Sequence, residues 1–209
     1  MKIAVWGNEL TAWVTAGALA ATGNDIAFVS NSRISDPLTL MGSSIRNEPG
    51  LRDLICNEYQ HRRLRFVQTR TALGIQAHIL SMNPNEFEHA RDIVSQLASK
   101  AKGPLLIINQ SHFGFGATDQ LQALLDRRKK QVVVYFAENI SEGEALNRIR
   151  NPGSLIIGSD DEAATLTLRA LFKTFQRAAR TPVRDDSARG GIQQAGDHRH
   201  ARATPRLHQ

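Results

Sequence analysis

Seven short apolar runs, each followed by a longer mixed stretch, constrain this chain more than any other feature. They are "KIAVW" (2–6), "IAFVS" (26–30), "LRFV" (64–67), "AHILS" (77–81), "PLLIIN" (104–109), "QVVVYF" (131–136) and "SLIIG" (154–158). Several are continuously apolar rather than alternating, the pattern of strands buried on both faces of a parallel sheet. The stretches 9–22, 50–61, 85–101, 117–129, 142–149 and 160–178 read as helices. Pro49 opens one of them, and Ser141 with Glu144 and Ser159 with Glu162 have the spacing of capping boxes. Strand alternating with helix predicts a Rossmann-like α/β fold: a doubly wound, mostly parallel sheet with helices on both faces.

The 209 residues suit one domain and a tail. After "RAART" the pattern stops. The domain is expected over 1–182, and 183–209 reads as a disordered basic tail, too poor in apolar residues to offset its ordering entropy. That tail holds part of the net charge of +6, and no aromatic platform or groove-reading helix accompanies it, so nucleic acid is not the expected partner. No apolar run approaches the ~20 residues of a membrane span. The N-terminus does not read as a signal peptide, and the expected location is cytoplasmic. The single Cys56 excludes an internal disulfide and a multi-cysteine metal site, and it reads as a small apolar residue rather than a nucleophile.

The first strand runs into "GNEL" and then a helix, the arrangement that cradles a dinucleotide pyrophosphate on a helix N-terminus. Gly7, Asn8, Glu9 and Leu10 are the expected phosphate loop. Gly7 stands alone: Glu9 takes the place of a second glycine and Ala12 that of a third. A carboxylate at Glu9 adds bulk and a like charge beside two phosphates, worth on the order of a few kcal/mol in a partly shielded site. The same carboxylate also complements the dipole of the helix it begins. Either way, cofactor binding is expected to be weakened or changed.

Four blocks carry a resemblance. They are "MKIAVWG…GNDIAFV", "EPGLRDLI" followed by "RLRFV", "LLIINQSHFGFGATDQL", and "AENISEGEALNRIRNPGSLIIGSDDEAA". In that order, over about residues 1–183, the chain resembles the N-terminal domain of the UDP-glucose/GDP-mannose dehydrogenase family. The resemblance implies NAD as cofactor and the oxidation of a nucleotide sugar to its uronic acid for polysaccharide synthesis. It places Ser111 and His112 near the nicotinamide, with His112 standing for a threonine. Ser30 stands where the family has an acid on the adenosine ribose, and with Arg33 nearby NADP is the alternative. Glu138 and Glu142 match family glutamates, Glu142 being the acid near the reaction centre, while the backbone of Asn139, Ile140 and Ser141 is expected to line the sugar. The family's nucleophilic cysteine and its lysine–asparagine pair have no counterpart in these blocks, so the two glutamates are expected to be vestigial and the chain inactive alone. A truncation near residue 184, by a change of reading frame, is the corresponding expectation for the tail. Two functions follow: the cofactor domain of a nucleotide-sugar dehydrogenase, or a non-catalytic derivative that binds a nucleotide or a partner protein. Self-association through exposed apolar surface is compatible with both.

Overall fold

The structure is a computed structural model that describes residues 1–30, 36–137, 140–152 and 154–176, with the backbone of 183–184. Arg33, Glu138, Asn139 and the rest of the expected tail lie outside the described residues. The chain order is β1 (Lys2–Trp6), α1 (Leu10–Ala21), β2 (Asp25–Val29), α2 (Ser43–Asn47), α3 (Leu51–Gln60), β3 (Leu64–Val67), α4 (Thr69–Ala72) and β4 (Ala77–Leu80). It continues with α5 (Phe87–Lys100), β5 (Leu105–Asn109), α6 (Ala117–Gln122), β6 (Gln131–Ala137), α7 (Ala145–Arg150), β7 (Ile156–Gly158), α8 (Glu162–Phe172) and a two-residue β8 (Val183–Arg184).

One sheet runs β3-β2-β1-β4-β5-β6-β7-β8. β1 to β6 are parallel, and β7 turns back antiparallel to β6, pairing Phe136 with Ile157. Each parallel strand feeds apolar side chains to both faces, which explains the continuous apolar runs. In β1, Ile3 and Val5 join a core under α1, α3, α7 and α8, while Ala4 and Trp6 join a second core under α5 and α6. The first core is the more aromatic. Trp13 of α1 lies 4.4 Å from Phe28 and 5.9 Å from Phe66, centroid to centroid. Such pairs add about 0.5–1.5 kcal/mol beyond the area they bury.

The seven expected strands match their places to within two residues at either end, while β8 falls at the start of the expected tail, where Val183 pairs with Ile156 of β7. The helix expected over 117–129 is shorter. α6 ends at Gln122, and the Asp126 carboxylate accepts from the Arg128 N–H, closing a separate 3-10 turn at Arg127–Lys129. Short acidic side chains compete for backbone N–H groups in this way and end helices. Both expected capping boxes are also displaced. The cap of α8 is Asp161, whose Oδ1 accepts from the Ala164 N–H at 2.8 Å, while Ser159 Oγ accepts from the Asp161 N–H. At α7 no side chain of its own segment caps the helix; the cap comes from elsewhere in the chain, as described below.

Candidate functional site

The strand order reverses between β1 and β4, because β1 leads outward to β2 and β3 while β4 leads to β5 and β6. In an open α/β sheet the crevice at the carboxyl ends of such strands is where a ligand sits. A cavity of about 560 Å³ lies there. Gly7, Asn8 and Glu9 form its side toward α1, Val29 and Ser30 the end of β2, and Met82, Asn83, Asn85 and Glu86 the loop after β4. The volume falls within the range of small-molecule clefts, about 300–1,000 Å³.

Gly7 is fixed by the fold. Its φ is +114°, and a Cβ built on it falls 1.8 Å from the Ser81 carbonyl oxygen. No side chain fits there, with or without a ligand. Glu9 differs: its φ of −75° and ψ of 164° are ordinary for any residue, and as the N-cap of α1 it makes no side-chain capping bond. Its side chain is exposed and faces the cavity. The first N–H groups of a helix have no carbonyl a turn earlier to bond, so α1 presents its positive end beside a cavity that Glu9 also lines. Asn8 is held by its neighbour: its Oδ1 accepts from the Trp13 indole N–H at 2.9 Å. Leu10 turns inward and packs against the first core instead of lining the cavity.

Beneath the cavity, Trp6 and His78 are locked together. The Trp6 indole N–H donates to His78 Nδ1 at 3.1 Å, and His78 Nε2 donates to the Ile75 carbonyl at 2.8 Å. An indole can only donate, so His78 carries its proton on Nε2. Burial pushes its pKa down to about 4 from an ordinary 6.5, with the Ile75 bond opposing. His78 is therefore a neutral core residue.

The loop after β5 faces a second cavity, of about 480 Å³, between α6 and the outer strands β6 and β7. Ser111 and His112 line this one rather than the first. Ser111 is buried and engaged: its Oγ accepts from the Met82 N–H at 2.9 Å and donates to the Leu80 carbonyl, and its own N–H donates to Asn109 Oδ1. It ties the ends of β4 and β5 together. His112 is exposed, as is Phe115, wholly so, between Gly114 and Gly116.

Of the segment expected to carry the reacting groups, the described residues Ile140, Ser141 and Glu142 line neither cavity. Glu142 and Ser141 are exposed, and Ile140 packs its side chain on the first core. The position of this segment is set by Glu48 of the "EPGL" block. Glu48 is buried, its Oε2 accepts from the Gly143 N–H at 2.6 Å and its Oε1 from the Leu146 N–H at 3.3 Å. A carboxylate from the α2–α3 junction thus caps α7, and two of the resembling sequence blocks are joined by it.

Thr69, Met82, Asn83, Asn85, Glu86 and His89 also line the first cavity and stand outside the residues expected from the sequence. A signal was present in "NPNEF". Asn83 and Glu86 form a capping box at the carboxyl end of β4, where the switch-point rule puts a ligand. Cys56 is half-buried, and burial, with the Asp36 carboxylate next, raises its pKa, the opposite of an activated thiol. Among the described residues no group of three or more His, Cys, Asp or Glu side chains is placed to hold a metal ion. Among them, too, no helix is long and apolar enough to cross a membrane.

Comparison with known proteins agrees with this geometry. Residues 1–176 match the NAD binding domain of the UDP-glucose/GDP-mannose dehydrogenase family. UDP-glucose 6-dehydrogenase of Pseudomonas aeruginosa is 25% identical over 193 residues, which are 85% of this chain and 43% of that protein. UDP-glucose 6-dehydrogenase YwqF of Bacillus subtilis is 25% identical over 190 residues, 84% of this chain and 43% of that protein. Among solved structures, a UDP-D-ManNAc dehydrogenase from Pyrococcus horikoshii superposes with a TM-score of 0.74 at 18% identity, covering 90% of this chain and 48% of the other. A GDP-mannose dehydrogenase from Pseudomonas aeruginosa gives 0.73 at 19%, covering 88% and 46%. At those identities the structures share the fold. The chain spans less than half the length of the curated relatives it matches.

Proposed function

The chain belongs to the UDP-glucose/GDP-mannose dehydrogenase family through its NAD binding domain, and from that premise we propose that the cavity at the β1–β4 switch point is an adenine-nucleotide site. The observation that carries this reading is the cavity itself, at the carboxyl ends of β1, β2 and β4 and the start of α1. The wider role we propose is that of the cofactor unit in NAD-dependent oxidation of a nucleotide sugar to its uronic acid, in the cytoplasm.

The residues present fit one half of that cofactor. Val29, Met82 and Ile93 offer apolar walls to a purine, and Ser30, Thr69 and Asn85 offer hydroxyl and amide groups to a ribose and a base edge. Bound NAD supplies a hydride acceptor; this chain's described residues supply the adenosine end. The diphosphate fits poorly, because Glu9 stands at the helix end it would use. Glu142, the acid expected near the reaction centre, lines neither cavity. Glu9 at the phosphate turn, and Glu142 outside both cavities, support a second reading: a non-catalytic derivative of the dehydrogenase domain that retains nucleotide recognition.

The test is a titration of the full chain with NAD into the millimolar range, followed by amide NMR. Saturable shifts confined to Gly7, Glu9, Ser30 and Asn85 are expected. No shifts, or shifts confined to the loop of Ser111 and His112, overturn the assignment of this cavity.

A further inference from the structure

Resting on the reading of this cavity as an adenine-nucleotide site, we infer that it selects an uncharged nucleoside, adenosine or a close analogue, over the diphosphate-bearing dinucleotide.

The charges of the wall carry the inference. Two carboxylates line the cavity, Glu9 and Glu86. Glu86 is held in place, since its Oε2 accepts from the Asn83 N–H at 3.0 Å. Glu9 is exposed at the N-cap of α1 with no capping bond of its own. Among the described lining residues there is no lysine or arginine, and His89 is the one group able to become a cation. A helix N-terminus ordinarily favours an anion from the ligand. Here a carboxylate of the chain, Glu9, lines the cavity at that helix end. Each phosphate added to a bound nucleoside then brings like charge toward Glu9, so affinity falls as phosphates are added. A site built for a dinucleotide shows the reverse order.

Backbone geometry separates the two positions of the turn. Gly7 cannot change without a clash with Ser81, whatever the ligand. Residue 9 has a conformation open to any side chain, so what stands there sets the ligand without disturbing the fold.

The experiment is calorimetric titration of the full chain with adenosine, AMP, ADP and NAD, repeated with Glu9→Gln and Glu9→Gly. The expected native order is adenosine tightest, then AMP, with ADP and NAD at least about 10-fold weaker. Both variants should raise the NAD affinity by about 100-fold, the scale of one removed like-charge contact in a partly shielded site, and change adenosine by less than about 3-fold. Because Glu9 is exposed, both variants should keep the native circular dichroism spectrum. NAD binding more tightly than adenosine in the native chain overturns the inference while the nucleotide site stands. An order unchanged by Glu9→Gly does the same. If none of the four ligands binds native or variant protein, the nucleotide reading falls and the inference with it.

Discussion

The turn after β1 and the loop after β5 both leave the sheet at its carboxyl edge, and both carry glycine at positive φ. Their glycines meet different constraints. Gly7 has φ +114° and a neighbouring carbonyl where its Cβ would be. Gly114 and Gly116 have φ +100° and +75° and open space around them. The first position is closed by packing, the second pair only by backbone dihedral. It follows that a retained Gly7 says little about whether a cofactor is bound, because the fold requires it in any case. Glu9, in a backbone conformation open to any residue, is where the proposed selection of ligand acts.

The strongest break of this comparison is Gly7→Ala. A clash of this depth with backbone cannot be relieved by a rotamer change, and core overpacking with backbone strain costs upward of about 3 kcal/mol. The variant should fail to give a folded, cooperative thermal transition by circular dichroism. A native-like melt would mean that the end of β4 yields, and Gly7 would then belong with the loop glycines.

Glu48→Ala comes next. It strands the buried Leu146 N–H, costing about 1–3 kcal/mol, while the N–H of exposed Gly143 is left to water. A loss of about 2 kcal/mol in urea unfolding is expected, with faster hydrogen exchange at those two amides. Unchanged exchange would show that α7 holds its place without the carboxylate. The result bears on how the sequence is read. The "EPGL" block is one of those that carry the family resemblance, and Glu48 gives it a folding reason.

His78 extends the comparison to pH. Its folded pKa, about 4, lies below its ordinary 6.5. The unfolded chain therefore binds the extra proton first, and the stability this site contributes is full above pH 6.5 and lost as pH falls toward 4. At pH 5 the loss is about 2 kcal/mol. Replacing His78 with Gln should flatten the decline in unfolding free energy between pH 6.5 and 4 by close to one proton's worth of slope. An unchanged slope would mean that the buried ring does not dominate the acid response.

Much of the fold was legible because continuous apolar runs have one economical solution, a sheet covered on both faces. The helix starts were less so. Ser159 and Ser141 have the right spacing to cap, but Asp161 is nearer to the N–H groups of α8, and Glu48 reaches α7 from nearly a hundred residues away. Local spacing cannot report a partner that far along the chain. In the site, Gly7, Asn8, Glu9 and Ser30 were named from sequence and share one cavity. Ser111, His112 and Glu142 were named beside them and lie elsewhere. A motif fixes the order of residues along the chain, whereas which cavity a loop faces depends on side chains such as Ser111, turned under Met82 by a pair of hydrogen bonds.

Gly116→Ala gives the smallest effect and the sharpest contrast with Gly7. The residue is the N-cap of α6 at φ +75°, with nothing within 4 Å of a built Cβ. Only the left-handed backbone conformation opposes the substitution, worth about 1–2 kcal/mol for a residue with a Cβ. The expected result is a protein that folds normally and melts a few degrees lower, with adenine-ligand binding at the first cavity unchanged. Should Gly116→Ala prove as damaging as Gly7→Ala, the loop after β5 would be packed as tightly as the turn after β1, and the distinction between a steric and a dihedral glycine would not hold in this protein.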